Sequence, residues 1–235
     1  MGRSFEIVEF KVAEADFFLE KLKETAEYAF QFFEARNYLS AFLSAARSIS
    51  FSIQSSLTGV EGFDTWYAVH QKALRESKLA KYFVEARNLS QKVGYYPIVS
   101  AMVYADNAGK RIARYIFDQS SPDLKSEAPE IDVVEACSFY FRILLEIVLD
   151  SYRCFGTVID PEQYYSIENL HKSGKTIEDF EQELGYPRGW TRIADDISDQ
   201  KRLEAIRGEI KYEGVDHILI KYLGFNRFGD KVDES

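Results

Sequence analysis

The 235-residue sequence has little cysteine, proline or glycine, and each shortage excludes a class of protein. Its two cysteines, Cys137 and Cys154, fall on one predicted helix, where 17 residues span roughly 25 Å, too far for a disulfide. Two free thiols are typical of a reducing cytosol, so we expect a cytoplasmic protein. The 5 prolines and 13 glycines are too few for a disordered chain or a turn-dense all-β protein.

Signals for metal, phosphate and membrane binding are equally sparse. The 3 histidines are scattered and no CxxC motif occurs, so the sequence predicts no metal centre and no cofactor. The segment SGKT (173–176) ends like a P-loop, but Asn169 replaces the first required glycine, which favours Thr176 as a helix N-cap. Residues 37–60 carry one charge, Arg47, but their seven serines make them too polar for a membrane span, so we expect no membrane contact.

Charge is unevenly distributed along the chain. A net charge of −9 does not attract nucleic acid, so any RNA or DNA contact needs a local basic patch. One stretch has six positive side chains against two acids, Glu76 and Glu85, an excess of four (six minus two): Lys72, Arg75, Lys78, Lys81, Arg87 and Lys92. Such a run is most often a solvated helix face with ion pairs. The other interpretation is a binding face, in which Lys78 and Lys81 contact nucleic acid.

Apolar residues at spacings of three and four predict long helices over about residues 14–34, 38–57, 64–91 and 132–155. We expect Asn37 to cap the second of these helices and Gly156 to end the fourth. Before the first helix, FEIVEFK (5–11) alternates weakly between apolar and polar residues, which predicts a short strand or an extended arm.

On both sides of a turn signal, apolar and polar residues alternate with a period of two residues, which predicts a β-hairpin. VSAMVYAD (99–106) and RIARYIFD (111–118) flank the turn Asn107-Ala108-Gly109. Shorter helices are predicted over about residues 161–171, 176–184, 198–209 and 215–223. The tail from Phe225 is expected to fray.

These elements predict a mainly α protein. Residues 1–156 are expected to form an antiparallel helical bundle, into which the hairpin, residues 98–118, is inserted. Residues 157–235 are expected to form a helical extension that packs on the bundle.

The tetrapeptide Glu-Ala-Arg-Asn occurs twice, at residues 34–37 and 85–88, but the flanks do not match, so it is no fold repeat. The first copy is interpreted as a junction between helices. In the second, the seven-residue register of Ala73 and Ala80 places Arg87 on the apolar side of its helix, where arginine usually has an anionic partner.

Arg47 is a second arginine in an otherwise uncharged helix. We expect it to form a buried ion pair with an acid such as Glu34 or Glu85. Breaking such a pair would cost about 3–5 kcal/mol, and helices tolerate these charges only when they are paired.

Two segments carry a resemblance to a known family. YLSAFLSAARSISFSIQ (38–54), followed by a helix that ends in FVEARNLSQK (83–92), resembles the HEPN superfamily (higher eukaryotes and prokaryotes nucleotide-binding domain). The resemblance covers roughly residues 14–92 and implies a HEPN-like helical bundle that forms a homodimer. Many HEPN proteins are metal-independent ribonucleases of toxin–antitoxin or antiphage systems.

The signature of that family is an arginine, a polar residue and, a few residues later, a histidine. Arg87 and Asn88 match the first two positions, but no histidine lies four to seven residues after any arginine, and Lys92 stands in its place. The resemblance implies a catalytic set in which Arg87 stabilises phosphate charge, Asn88 positions the substrate and Lys92 replaces the proton-transferring histidine. Lysine, with an ordinary pKa of roughly 10.4, is a base at neutral pH only where its surroundings lower that pKa.

Two functions follow from the resemblance. The first is an RNA-directed endoribonuclease of toxin–antitoxin or antiphage type, with RNA and an antitoxin or defence-system protein as partners. The alternative is a catalytically inactive HEPN-like module that dimerises and binds a partner protein or nucleotide in the same groove. A third interpretation leaves the basic run as solvated surface.

Overall fold

The computed structural model of the chain describes residues 4–27, 31–105, 108–122, 124–194, 196–210 and 214–232. Within these ranges the protein is mainly α with one inserted hairpin, which confirms the predicted fold class. In chain order the elements are α1 (Glu6–Glu27), α2 (Phe32–Leu57), α3 (Phe63–Glu76), α4 (Lys78–Val93), β1 (Ile98–Ala105), β2 (Arg111–Phe117), α5 (Val133–Ile159), α6 (Pro161–Tyr164), α7 (Ile167–Ser173), α8 (Ile177–Glu183), α9 (Asp199–Gly208) and α10 (Asp216–Leu223).

The first helix starts earlier than predicted. The strand or arm predicted over residues 5–11 is wrong, because α1 begins at Glu6. Val8 and Val12 are buried at helical spacing, and the ring of Phe5 packs edge-on against Tyr152 of α5, with 5.3 Å between centroids. The apolar stripe of α1 therefore continues through this segment and fixes its helical period.

The second helix also starts early, at Phe32, so the prediction that Asn37 caps it is wrong. Asn37 is an exposed residue inside α2. The first Glu-Ala-Arg-Asn copy is therefore helical rather than a junction. Its Arg36 stacks on the Phe32 ring, 4.3 Å from the centroid, and its Nε donates to the carbonyl of Ile98 at 3.0 Å.

The single helix predicted over residues 64–91 is in fact two helices, α3 and α4. Ser77 separates them with an extended backbone (φ −69°, ψ 118°), and its hydroxyl accepts the N–H of Ala80 at 3.2 Å. This is N-cap geometry, in which serine supplies an acceptor for a backbone donor that lacks a helical partner. The basic run is consequently divided between two helices.

The strands β1 and β2 pair in antiparallel fashion and confirm the predicted hairpin. Ala113, Tyr115 and Phe117 of β2 are buried in the core, whereas all of β1 except its first residue is exposed. Gly109 in the turn has φ 78°, a conformation that favours glycine. Asn107 of the predicted turn lies outside the described residues.

The longest helix, α5, begins after Asp132, whose carboxylate accepts the N–H groups of Val134 and Glu135. It runs to Ile159, so the prediction that Gly156 ends it is wrong. A Cβ added at Gly156 would lie 2.1 Å from the Gln163 side chain. Glycine is therefore present because the following segment approaches closely, and not because the helix terminates there.

The segment after α5 contributes to two apolar clusters. Helices α6 to α9 build a small one of their own: Tyr164, Tyr165, Leu170, Ile177, Phe180, Leu203 and Ile206. Helix α10 joins the main core instead, where Tyr222 meets Phe141 edge-on at 5.0 Å. Thr176 caps α8, as predicted, through reciprocal hydrogen bonds with Asp179.

The prediction that the tail frays is wrong for residues 225–232. Phe225 and Lys231 form an antiparallel bridge, and Arg227 is buried. Its guanidinium forms ion pairs with three carboxylates, those of Asp160, Glu162 and Asp216. Fixed ion pairs therefore order a stretch whose composition resembles a loop.

Two expectations from composition concern thiols and membranes. Cys137 and Cys154 are both free, and burial raises the pKa of the Cys137 thiol well above its ordinary value. In the part of the chain that the structure describes, no helix has both the length and the apolar character needed to cross a bilayer.

Candidate functional site

Arg87 and Asn88 are neighbours on α4, and their side chains touch. Nη1 of Arg87 donates to Oδ1 of Asn88 at 3.3 Å. Arg87 is half-buried, and its Nε is fully buried without a hydrogen-bond partner among the described residues. An unsatisfied buried donor costs free energy, so the guanidinium has unused capacity for an anionic acceptor.

Lys92 is exposed in the last turn of α4. It follows Arg87 by five residues, which at 3.6 residues per turn places it about 140° around the helix axis. The structure therefore puts the two predicted catalytic cations on one helix but on different faces. A shared site would need Lys92 from another copy of the chain.

Lys78 and Lys81 lie three residues apart in the first turn of α4 and have different surroundings. Lys78 is 90% exposed and lies 3.7 Å from the equally exposed Glu127, an ion pair of little energetic weight. Lys81 is also exposed but lines a cavity together with residues of α2 and α3. Lys81 therefore borders a cavity, whereas Lys78 forms a surface ion pair.

A groove separates α2 from α4, and we call it the α2–α4 groove. Near one end lies a cavity of about 340 Å³, with a mostly small and polar lining: Asn37, Ser40, Ser44, Ser90, Gln91 and Tyr96. The hydroxyls of Ser40 and Ser90 bridge the two helices at 3.3 Å. Val84, at the other end, lines a second cavity. Arg87 lies three residues from both Val84 and Ser90, so the helical repeat places it between the two cavities.

The second cavity, which we call the Arg47 cavity, has a volume of about 240 Å³ and lies among α2, α3, α4 and α5. Six of its lining residues carry the argument below: Arg47, Phe51, Arg75, Lys81, Glu85 and Tyr140. Burial raises the pKa of Tyr140 to about 12, and the positive charge of Arg47 acts in the opposite direction.

The ion pair predicted for Arg47 is not formed with any described residue. Its guanidinium stacks instead on the ring of Phe51, 4.5 Å from the centroid. Glu85 is engaged elsewhere, because its Oε2 accepts the N–H groups of Lys125 and Ser126 at 3.0 and 2.9 Å. The loop after the hairpin thus binds one of the two acids predicted as possible partners of Arg47.

A further cluster escaped the sequence analysis. Oδ2 of Asp150 accepts the indole N–H of Trp66 at 2.7 Å and lies 2.9 Å from Nε2 of His70. The carboxylate holds the imidazole in one orientation at the edge of a third cavity, of about 460 Å³. His70 and Asp150 are 80 residues apart in sequence, so no local spacing signals the contact. Among the described residues, no three metal-ligating side chains come together.

The fold and the groove define a class of protein: a helical bundle with an inserted hairpin and an arginine-bearing groove between its second and fourth helices. A family model described as bacteriophage lambda protein ea47 matches residues 23–151, more than half of the chain. The chain belongs to this family. The matched range includes the α2–α4 groove, the Arg47 cavity and the His70–Asp150 contact. It does not bear on the HEPN resemblance, which stays a prediction.

No curated protein and no solved structure matches the chain.

Proposed function

We propose that the protein is an RNA-directed, HEPN-like module that binds the phosphate backbone of single-stranded RNA along the α2–α4 groove. The observation that carries this proposal is the unpartnered, buried Nε of Arg87, which lies between the polar cavity at Ser40 and Ser90 and the Arg47 cavity. Guanidinium is the side chain best suited to hold phosphate through several hydrogen bonds. Lys81 and Arg47 extend the positive charge along the groove toward its second cavity.

Binding is favoured over cleavage because, among the residues that the structure describes, neither Lys92 nor a histidine lies beside Arg87 to transfer a proton. Cleavage by attack of the 2′-hydroxyl needs a general base as well as charge stabilisation on the phosphate. Lys92 lies on another face of α4, and His70 is hydrogen-bonded to Asp150 beside a different cavity. The inactive HEPN-like module is therefore the interpretation that the geometry supports better than the endoribonuclease.

The expected partners belong to the same proposal. A homodimer is the arrangement that would bring Lys92 of one copy toward Arg87 of the other. Membership of a phage protein family supports a phage-related setting for an antitoxin or defence-system partner. The two free cysteines fit a cytoplasmic location.

Fluorescence anisotropy with short labelled single-stranded RNAs, in EDTA and over a series of salt concentrations, tests the binding. We expect Arg87→Met to weaken RNA binding about tenfold, in line with the loss of one charged hydrogen-bonded contact. We also expect it to reduce the slope of the logarithm of the binding constant against the logarithm of salt concentration by about 0.7. This is the value, about 0.7, for one phosphate contact on a single strand. Arg142→Met removes an exposed arginine of α5 and serves as the matched control.

Other outcomes are equally informative. If Arg87→Met and Arg142→Met bind RNA as tightly as the parent protein, the groove is not the RNA site. If the parent protein cleaves RNA in EDTA, and both Arg87→Met and Lys92→Ala abolish cleavage, the ribonuclease interpretation replaces the binding one. A dimer mass in solution would then be required, because a single copy separates the two cations.

A further inference from the structure

We propose that the Arg47 cavity is a binding site for a small organic anion, one that joins an apolar ring or short chain to a single carboxylate or phosphate group. This site goes beyond the proposed function, because Arg87, Asn88 and Lys92 do not line it. It would exist even if the groove bound no RNA.

The first step of the argument is the state of Arg47. The side chain projects from the middle of α2, is half-buried and forms no ion pair with a described residue. The cation–π contact with Phe51 is not a hydrogen bond, so it leaves the guanidinium N–H donors available to a ligand. A half-buried cation without a counter-ion is costly, and an anionic ligand would remove that cost.

The second step is the charge around the cavity. Arg75 of α3 and Lys81 of α4 stand at its exposed rim and, like Arg47, form no ion pair with the residues that the structure describes. The one acid in the lining, Glu85, is held by backbone N–H groups of the loop at Lys125 and Ser126. Three unpaired cations against one engaged carboxylate favour an anion over a neutral or cationic ligand.

The third step is the shape and the apolar character of the cavity. Phe51 and Tyr140 contribute aromatic surface from α2 and α5, and Val84 contributes aliphatic surface from α4. A volume of about 240 Å³ is smaller than the roughly 300–1,000 Å³ of drug-sized pockets, so one ring or short chain fits. An inorganic anion alone would leave this apolar lining uncovered.

Four probes test the contributions of the ring and of the charged group: phenyl phosphate, benzoate, inorganic phosphate and phenol. We measure their affinity for the full chain by ligand-observed NMR and by isothermal titration calorimetry. We expect phenyl phosphate or benzoate to bind at least about tenfold more tightly than inorganic phosphate or phenol, since only they combine ring and charge. Whichever of the two binds more tightly identifies the head group as phosphate or carboxylate.

Three variants locate the site. Arg47→Met keeps the length of the side chain and is expected to weaken the best probe about tenfold or more, because it removes a charge-assisted hydrogen bond. Lys81→Met changes an exposed side chain, so its folding is not at risk, and is expected to weaken the probe by a smaller factor. Arg142→Met, outside the cavity, should leave the affinity unchanged.

The proposal fails on any of three results. The first is binding of phenol as tight as that of the charged probes, which would make the cavity a plain apolar pocket. The second is the absence of saturable binding of all four probes at millimolar concentration. Equal affinity in Arg47→Met, Lys81→Met and the parent protein would place the site elsewhere. RNA binding by the Arg87 variants is scored separately, so failure of one proposal does not decide the other.

Discussion

Arg227, in the tail of the chain, is buried against Asp160 at the end of α5, with 3.2 Å between Nε and Oδ2. Both side chains are almost fully buried, at 6% and 0% exposure. Burial raises the pKa of the Asp160 carboxyl, and the charge of Arg227 opposes that rise. Two further carboxylates, those of Glu162 and Asp216, also contact the guanidinium. The tail, α5 and α10 are therefore joined through one cation.

Removing that cation should be strongly destabilising. Arg227→Met leaves Asp160 buried without its counter-ion, and we expect the free energy of unfolding to fall by about 3–5 kcal/mol. Urea denaturation followed by circular dichroism measures this loss. The matched control is Lys78→Met, which breaks the exposed pair with Glu127 and should cost at most about 1 kcal/mol. Equal losses in the two variants would show that the tail contributes no more than a surface contact.

A second prediction concerns acid stability and Glu20 of α1. Burial alone would raise the pKa of Glu20, but hydrogen bonds from Lys23 and from Lys221 of α10 outweigh it and lower the pKa from its ordinary 4.5 to about 2. Since the folded pKa is depressed, the contribution of Glu20 to stability is present above pH 4.5 and is lost as the pH falls toward 2.

We therefore expect Glu20→Gln to reduce the slope of unfolding free energy against pH over this acidic window. Urea denaturation at a series of pH values measures the slope. Glu61→Gln, which removes the same charge from an exposed loop, is the control. An unchanged slope in Glu20→Gln would mean that the α1–α10 ion pairs are too well solvated to couple to folding.

A third prediction concerns Ser77, which separates α3 from α4. Ser77→Ala should destabilise the protein by about 1 kcal/mol, because the Ala80 N–H loses its capping acceptor. Ser77→Asp should retain most of the stability, since its carboxylate can accept the same hydrogen bond. Urea denaturation compares the two variants. If Ser77→Ala were instead more stable than the parent protein, the better helix former would be extending one continuous helix.

These results show what local pattern can and cannot predict. Apolar residues at helical spacing correctly identified the bulk of α1, α2 and α5, because each of these helices buries a continuous stripe in one core. The alternation of β2, with Ala113 and Tyr115 turned inward, likewise identified the hairpin. The predicted helix boundary was wrong at Ser77, where a hydrogen bond from the Ala80 N–H to the serine hydroxyl starts a new helix. A serine occurs in helices and at caps alike, and its sequence context does not distinguish them.

The candidate site was less predictable than the fold. The register correctly placed Arg87 toward the apolar side of α4, since its Nε is buried. The ion pair predicted for Arg47 with Glu34 or Glu85 was wrong: Arg47 pairs with no described acid, and Glu85 bonds to a loop some 40 residues away. The contact between His70 and Asp150 likewise depends on how α3 packs on α5. Side-chain pairs between distant elements follow from packing, which a single sequence does not reveal.

The last prediction concerns the close approach of Gly156 and Gln163. A Cβ at Gly156 would have its three nearest atoms in the Gln163 amide, at 2.1 to 2.4 Å. That amide donates to Oδ2 of the buried Asp160 at 3.1 Å. Gly156→Ala should therefore push Gln163 away and remove a hydrogen bond to a charged group, a loss of about 1.5–3 kcal/mol. The gain in helix propensity from alanine, about 1 kcal/mol, is too small to offset it.

A double-mutant cycle separates these two effects. In a Gln163→Ala background the obstacle is absent, so Gly156→Ala should raise the free energy of unfolding by about 1 kcal/mol through helix propensity alone. The same substitution thus changes sign between the two backgrounds, with a coupling energy of about 1.5–3 kcal/mol, the contribution of the lost hydrogen bond. Urea denaturation of the four proteins measures it. Additive effects would contradict the close approach to Gln163 as the reason for glycine at position 156.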